Sequence, residues 1–350
     1  MGCGGAEDAP PCGALETALG GVCLTTPTID ASLGGEERNE AGENVAVDLG
    51  ILPETSCWVT PDEAPAEPSA VRVWGKIDEL ALGPSKDGMC LAIYDQHALT
   101  EHWRTESRCP GIANVAERVE CFRTDPCGCD DLEGEAKSAC LKDTGPALAY
   151  TRTVGRSEGS YEIAAAPTNR PLVFRLSGHP ELWKESFMWG VELRTDRLET
   201  DESDGSLHAR FDPIAVSVAD WGVVQALLGL AKEPSPDRGT VAGEIRDCGA
   251  PDRSPEPVIG ASFSLRPEGQ VHGFHNGDPE DLTGFDPALT ETRNQGIFGA
   301  LGVPEGPNRF VAGVNLDDEV VKIADYDLYV PPSAGVIIYV RGRVAWRDGP

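Results

Sequence analysis

The side chains best equipped for chemistry in this sequence are its thiols. Cys121, Cys127, Cys129 and Cys140 stand close together. Thiols so spaced either ligate a soft metal as thiolates or close disulfides. One residue, Gly128, separates Cys127 from Cys129, too few for a zinc knuckle, which uses about two to four. Eleven cysteines is also a large number for a chain kept in a reducing cytosol. The disulfide reading is therefore preferred, in an oxidising, extracytoplasmic compartment. Ten cysteines are the candidates: Cys12, Cys23, Cys57, Cys90, Cys109, Cys121, Cys127, Cys129, Cys140 and Cys248. Spacing leaves their pairing open. Cys90 and Cys248 are candidates for bridges to the Cys-rich stretch or to the N-terminal segment.

The eleventh, Cys3, has a different context. It follows Gly2 and precedes a Gly-rich, acidic stretch that ends in Pro10 and Pro11. This resembles the mature start of a bacterial lipoprotein, whose lipobox ends in Gly-Cys, and it makes Cys3 the candidate lipid attachment site. A free or bridged terminal cysteine is the competing reading. Myristoylation fits poorly, because Ala6 stands where that signal carries Ser or Thr.

Other constellations carry less. Residues 155–159 satisfy Gly-x-Ser-x-Gly with Ser157 at its centre. A nucleophile elbow needs a strand-to-helix turn, but the residues that follow are strand-like, so a structural turn is expected. His272, His275 and Asp278 lie near one another in a Gly-rich loop and are short of a convincing metal set. Asp201, Asp204 and Gly205 lack the ligand register of a calcium loop. The expectation is therefore no catalytic residue, no metal and no cofactor. Trp74, Trp189 and Tyr339 form the candidate ligand surface, since exposed aromatics stack on sugar rings. Packing against the insertion or the neighbouring domain is the alternative.

Strands must position these groups. Val71, Val73, Gly75 and Ile77 alternate with Arg72, Trp74 and Lys76, the period of a strand with one buried face. Val241, Gly243 and Ile245 repeat the pattern, and residues 156–161 align with residues 293–298 as a polar turn, a glycine and an aromatic. The chain thus reads as two copies of one domain. The gap between matching motifs is longer in the first copy by about the length of a Cys-rich stretch at 108–140, which reads as an insertion pinned by its own disulfides. Val336, Ile338, Val340, Val344 and Trp346 share one face of the last strand, read as half-exposed and antiparallel. Its counterpart in the first copy falls at 187–194. Residues 218–232 carry Val218, Trp221, Val224, Leu227 and Leu228 at helical spacing, a linker helix expected to pack across the seam between domains.

Composition agrees. The 350 residues include 40 glycines and 28 prolines, suited to short strands and tight turns. With 58 acidic against 29 basic residues the net charge is −29, which repels phosphate backbones and excludes nucleic acid as a partner. No apolar run reaches the ~18 residues a spanning helix needs, so any membrane contact is expected through the lipid alone. The expected organisation is a lipoprotein-like, partly stapled stalk at 1–69, a first β-sandwich at 70–200, a linker at 201–238 and a second sandwich at 239–350.

The stretch "GTVAGEIRDCGAPDRSPEPVIGASFSL" resembles the opening of a carboxypeptidase regulatory-like domain, a transthyretin-like β-sandwich. Gly260-Ala261 matches the family's Gly-Ala dipeptide, and "LTETRNQGIFGALGVPEG" matches its Thr, polar turn and Gly-x-Phe. The resemblance covers 239–347 well and 70–198 more weakly, where Met89-Cys90 stands in place of Gly-Ala. It implies an all-β chain of two Greek-key transthyretin-like or Ig-like sandwiches, and it implies no catalysis. The family's zinc peptidases need a His with Glu three residues on, and no histidine here has one. The expected function is a non-catalytic surface lipoprotein, at the outer membrane or cell surface, acting in adhesion, spacing or assembly. Its partner is a surface protein or glycan. A carbohydrate-binding module and an accessory domain of an extracellular enzyme system are the alternatives.

Overall fold

Alternation of side chains decides the strands. In Ala70–Lys76, Val71, Val73 and Gly75 turn inward while Arg72 and Trp74 stay half-buried and Lys76 exposed, as a two-residue period requires. Gly75 has no room for a side chain, because a Cβ there would strike the Phe211 carbonyl. The computed structural model describes residues 12, 16–19, 22–38, 44–54, 70–79, 85–153, 159–193, 198–200, 205–221, 235–249, 255–275 and 284–341. Over these the chain is predominantly β. Helices gather between the strands Cys90–Asp95 and Ala147–Arg152: α1 (Gln96–Thr105), α2 (Val115–Arg123), α3 (Pro126–Cys129) and α4 (Gly134–Thr144).

A nine-stranded sheet runs through both copies. Its order is Phe285–Asp286, Val271–His275, Ile297–Pro304, Arg238–Arg246, Gly335–Arg341, Ser186–Glu192, Pro171–Ser177, Cys90–Asp95 and Ala147–Arg152. The first five strands come from the second copy and the last four from the first. They meet where Ser186, Phe187, Met188 and Trp189 pair in parallel with Gly335, Val336, Ile337 and Ile338. The two sandwiches expected from the repeat are therefore built on one shared sheet.

Each face of that sheet has its own cover. Leu91, Ile93, Leu172, Phe174 and Met188 face the sheet Glu199–Thr200, Leu207–Arg210, Ala70–Lys76, Ser160–Pro167 and make the first core with Val73 and Ile163. The alternate residues Tyr94, Val173, Phe187 and Trp189 face the other way. They join Val241, Phe298, Val336 and Ile338 in a second core. This core is closed by the sheet Ala261–Arg266, Gly306–Leu316, Glu319–Val330 and by α1 and α2.

Several expectations need correction. Gly335–Arg341 is a central strand, parallel to both neighbours, and Ile337 and Tyr339 on its second face are half-buried. Alternation reports which faces are buried but not the direction of the partner. The insertion is helical and extends from Gln96 to Thr144, wider than 108–140. The N-terminal segment is no bare stalk over its described residues. Glu16–Leu19 pairs with Val22–Thr25, Ser32–Arg38 pairs with Asn44–Asp48 and with Val258–Ile259, and Leu24, Ala31 and Leu33 are buried. Residues 55–69, with the proline-rich spacer, lie outside the described residues. So do 222–234; of the expected linker helix, residues 218–221 form a helical turn. The Trp221 ring lies beside Gly335.

Candidate functional site

Among the described residues the cysteines are all in disulfides. Cys12 bonds Cys23, Cys90 bonds Cys127, Cys109 bonds Cys121 and Cys129 bonds Cys140. Cys248 is disulfide-bonded as well. Two bridges staple the insertion internally and Cys90–Cys127 fastens it to a sheet strand. Sulfurs in such bonds offer no thiolate to a metal, and the pairing belongs to an oxidising compartment. Cys3 and Cys57 lie outside the described residues.

The foot of the insertion holds the most concentrated polar chemistry. Arg175 is 1% exposed, on a strand buried on both faces. Its guanidinium donates through Nε to Glu185 Oε1 at 2.6 Å and through Nη2 to the carbonyls of Phe122 (2.6 Å) and Thr124 (2.8 Å). It also pairs with Glu185 through Nη2 and lies 5.3 Å from the Phe187 ring centre. Beside it, Ser177 donates to Asp125 at 2.6 Å, and Asp125 caps α3 by accepting from the Gly128 N–H. A buried guanidinium must have its donors met, and the open end of α2 supplies carbonyls that lack helical partners. Burial pushes the Glu185 carboxyl up to about 7 against the pull of Arg175, and it pushes the Tyr94 hydroxyl up too. In sequence, Arg175 is a lone charge inside the apolar run Leu172-Val173-Phe174-Arg175-Leu176, a signal that sequence reasoning passed over.

Two more buried carboxylates hold the N-terminal arm to the second copy. Glu291 accepts from Thr28 N–H (2.9 Å), Thr28 Oγ1 (2.6 Å) and Ile29 N–H (3.4 Å). Asp247 accepts from the N–H groups of Glu54 (3.0 Å), Gly249 (3.1 Å) and Glu256 (2.8 Å).

The expected ligand surface does not assemble. Trp189 is 0% exposed and belongs to the second core, because strand Ser186–Glu192 is covered on both faces. Tyr339 lies on the opposite face of the same sheet, half-buried, with its ring centre 6.2 Å from that of Phe211. Trp74 is on the outer face of the four-stranded sheet, with Arg210 stacked 5.5 Å from its ring and His208 at 5.9 Å. The three aromatics thus occupy three different layers. His272 and His275 are three apart on Val271–His275, which sends them to opposite faces of the strand, one exposed and one buried. Asp278, Ser157, Asp201 and Asp204 lie outside the described residues.

No protein-family model matches the sequence, and no curated protein does. Several solved structures overlap weakly, among them the following three. The Bacillus anthracis TIE protein has 10% identity and a TM-score of 0.21, over 89% of this chain and 48% of that one; the chain spans about half its length. GBS52, the minor pilin of Streptococcus agalactiae, has 11% identity and a TM-score of 0.20, over 80% and 98%. A streptococcal ancillary pilin has 11% identity and a TM-score of 0.18, over 79% and 69%. Overlap at this level carries no argument for fold or function. The molecule is a β-rich, disulfide-locked body.

Proposed function

We propose that this chain is a non-catalytic, extracytoplasmic module of a bacterial surface, serving adhesion, spacing or assembly and tethered through lipid on Cys3. The observation that carries the reading is the joining of both copies into one nine-stranded sheet, with a disulfide fastening the insertion to it. Such a body holds its shape under load and in an oxidising medium, as a surface spacer must. The Gly2-Cys3 context and the carboxypeptidase regulatory-like motifs of the second copy support the anchor and the family. The net charge of −29 favours a protein or glycan partner over nucleic acid. Fractionation of the native host and intact-mass analysis test the anchor. The expected result is a membrane-associated protein with a diacyl or triacyl mass increment on the peptide bearing Cys3. Soluble protein with an unmodified Cys3 would remove the tether from the proposal.

A carbohydrate-binding role is the second reading. Trp74, half-buried on an outer sheet face, favours it, since an aromatic plate can stack on the apolar face of a sugar ring. Binding on a glycan array that disappears in Trp74→Ala would establish it. A blank array at high protein concentration would dismiss it.

A further inference from the structure

The seam between the two copies is short. Four residue pairs join Ser186–Glu192 to Gly335–Arg341, with one more hydrogen bond from Gly335 N–H to the Glu185 carbonyl. Within the second copy the ladder between Gly306–Leu316 and Glu319–Val330 is much longer. With so few pairs, the stiffness of this junction depends on what packs across it. The helical insertion crosses it. From α1, Trp103 places its ring centre 5.3 Å from Phe187 on the first-copy side and 5.3 Å from Tyr329 on the second-copy side, with Phe122 of α2 at 5.6 Å. From α2, Arg118 donates to Glu305 of the second copy at 2.7 Å, both side chains largely buried. At its other end the insertion is fixed to the first copy by Cys90–Cys127, by Arg175 on the Phe122 and Thr124 carbonyls, and by Ser177 on Asp125.

We infer that the Cys-rich insertion is a strap that locks the first copy against the second. It is fastened to the first copy by Cys90–Cys127 and reaches the second through Trp103 on Tyr329 and Arg118 on Glu305. The strap confers rigidity on the seam without adding strands to it, and the inference stands whether or not the chain is a surface module.

Hydrogen exchange of the full chain, followed by mass spectrometry, tests this. The variants are Cys90→Ser/Cys127→Ser, which removes the disulfide between the insertion and the sheet, and Tyr329→Ala, which removes the Trp103 contact on the second copy while leaving the Arg118–Glu305 pair and every disulfide in place. Both should speed exchange at least tenfold at the seam, residues 186–189 and 335–338. Residues 261–264 and 311–314, a ladder remote from the seam, should keep wild-type rates. Seam amides that stay at wild-type rates while α1 and α2 exchange faster would overturn the strap. Uniform acceleration through the whole chain, remote ladder included, would overturn it equally. If the double cysteine variant does not fold, Tyr329→Ala decides alone.

Discussion

At the scale of single residues, buried charge is the main feature. Arg175 and Glu185 could be replaced by apolar groups in many cores at little cost, yet here the guanidinium also binds two carbonyls of the insertion. Its stability contribution depends on pH through Glu185. The folded carboxyl is raised to about 7 from a reference of 4.5, so the folded state keeps a proton that the unfolded chain releases. The resulting stabilisation is complete below the unfolded value and is lost as pH rises towards 7. Urea unfolding of wild type between pH 5 and pH 8 should show this loss, and Glu185→Gln should flatten it. Identical pH profiles for the two proteins would refute the assignment. Glu305, raised by burial against Arg118, acts in the same direction. The tryptophans provide a second contrast. Trp189→Ala empties a fully buried site and should cost about 3–5 kcal/mol. Trp74→Ala, half-exposed with one stacked cation, should cost about 1 kcal/mol or less. Denaturant midpoints that rank the two the other way would contradict the layer assignment.

At the scale of elements, the N-terminal arm is integral to the second copy. Ser32–Arg38 extends Val258–Ile259, and Leu24 lies where a Cβ on Gly313 would sit. Glu291 fastens the arm at Thr28. Glu291→Ala takes the acceptor away from the exposed Thr28 N–H and Oγ1, where water can replace it, and should cost about 0.5–1.5 kcal/mol. It should also speed proteolysis within residues 22–38 before the rest of the chain is cut. A variant whose midpoint and cleavage order match wild type would show that the latch contributes nothing. The outer strands follow their own logic. Ala147–Arg152 and Ser160–Pro167 each carry or face a register shift, the bulge that discourages edge-to-edge pairing between molecules.

At the scale of the whole molecule, the two copies share a sheet, and the second core takes in residues of both copies, of α1 and α2 and of the arm. Neither copy can lose its structure without exposing the other's apolar surface. Thermal unfolding should therefore appear as one transition, with calorimetric and van't Hoff enthalpies in agreement. Two well-separated transitions by calorimetry would mean that the copies fold as independent units. The strap inferred above strengthens this coupling, and its loss should split the transition before it abolishes either core.

The sequence by itself determined the strand character and the use of cysteine. Each is local or compositional: a two-residue period, an odd thiol count. It placed Val71, Val73, Val336 and Ile338 on buried faces, because alternation encodes burial directly. It did not indicate that Trp189 is buried, because strand Ser186–Glu192 is covered on both faces and only its neighbours could reveal that. Tertiary structure alone decided the joining of the copies into one sheet, the parallel direction of Gly335–Arg341 and the attachment of the arm to the second copy. It also decided the meeting of Arg175 with the Phe122 and Thr124 carbonyls. These are contacts between residues far apart in the chain, and no local pattern specifies which distant partner satisfies a given backbone edge or buried charge.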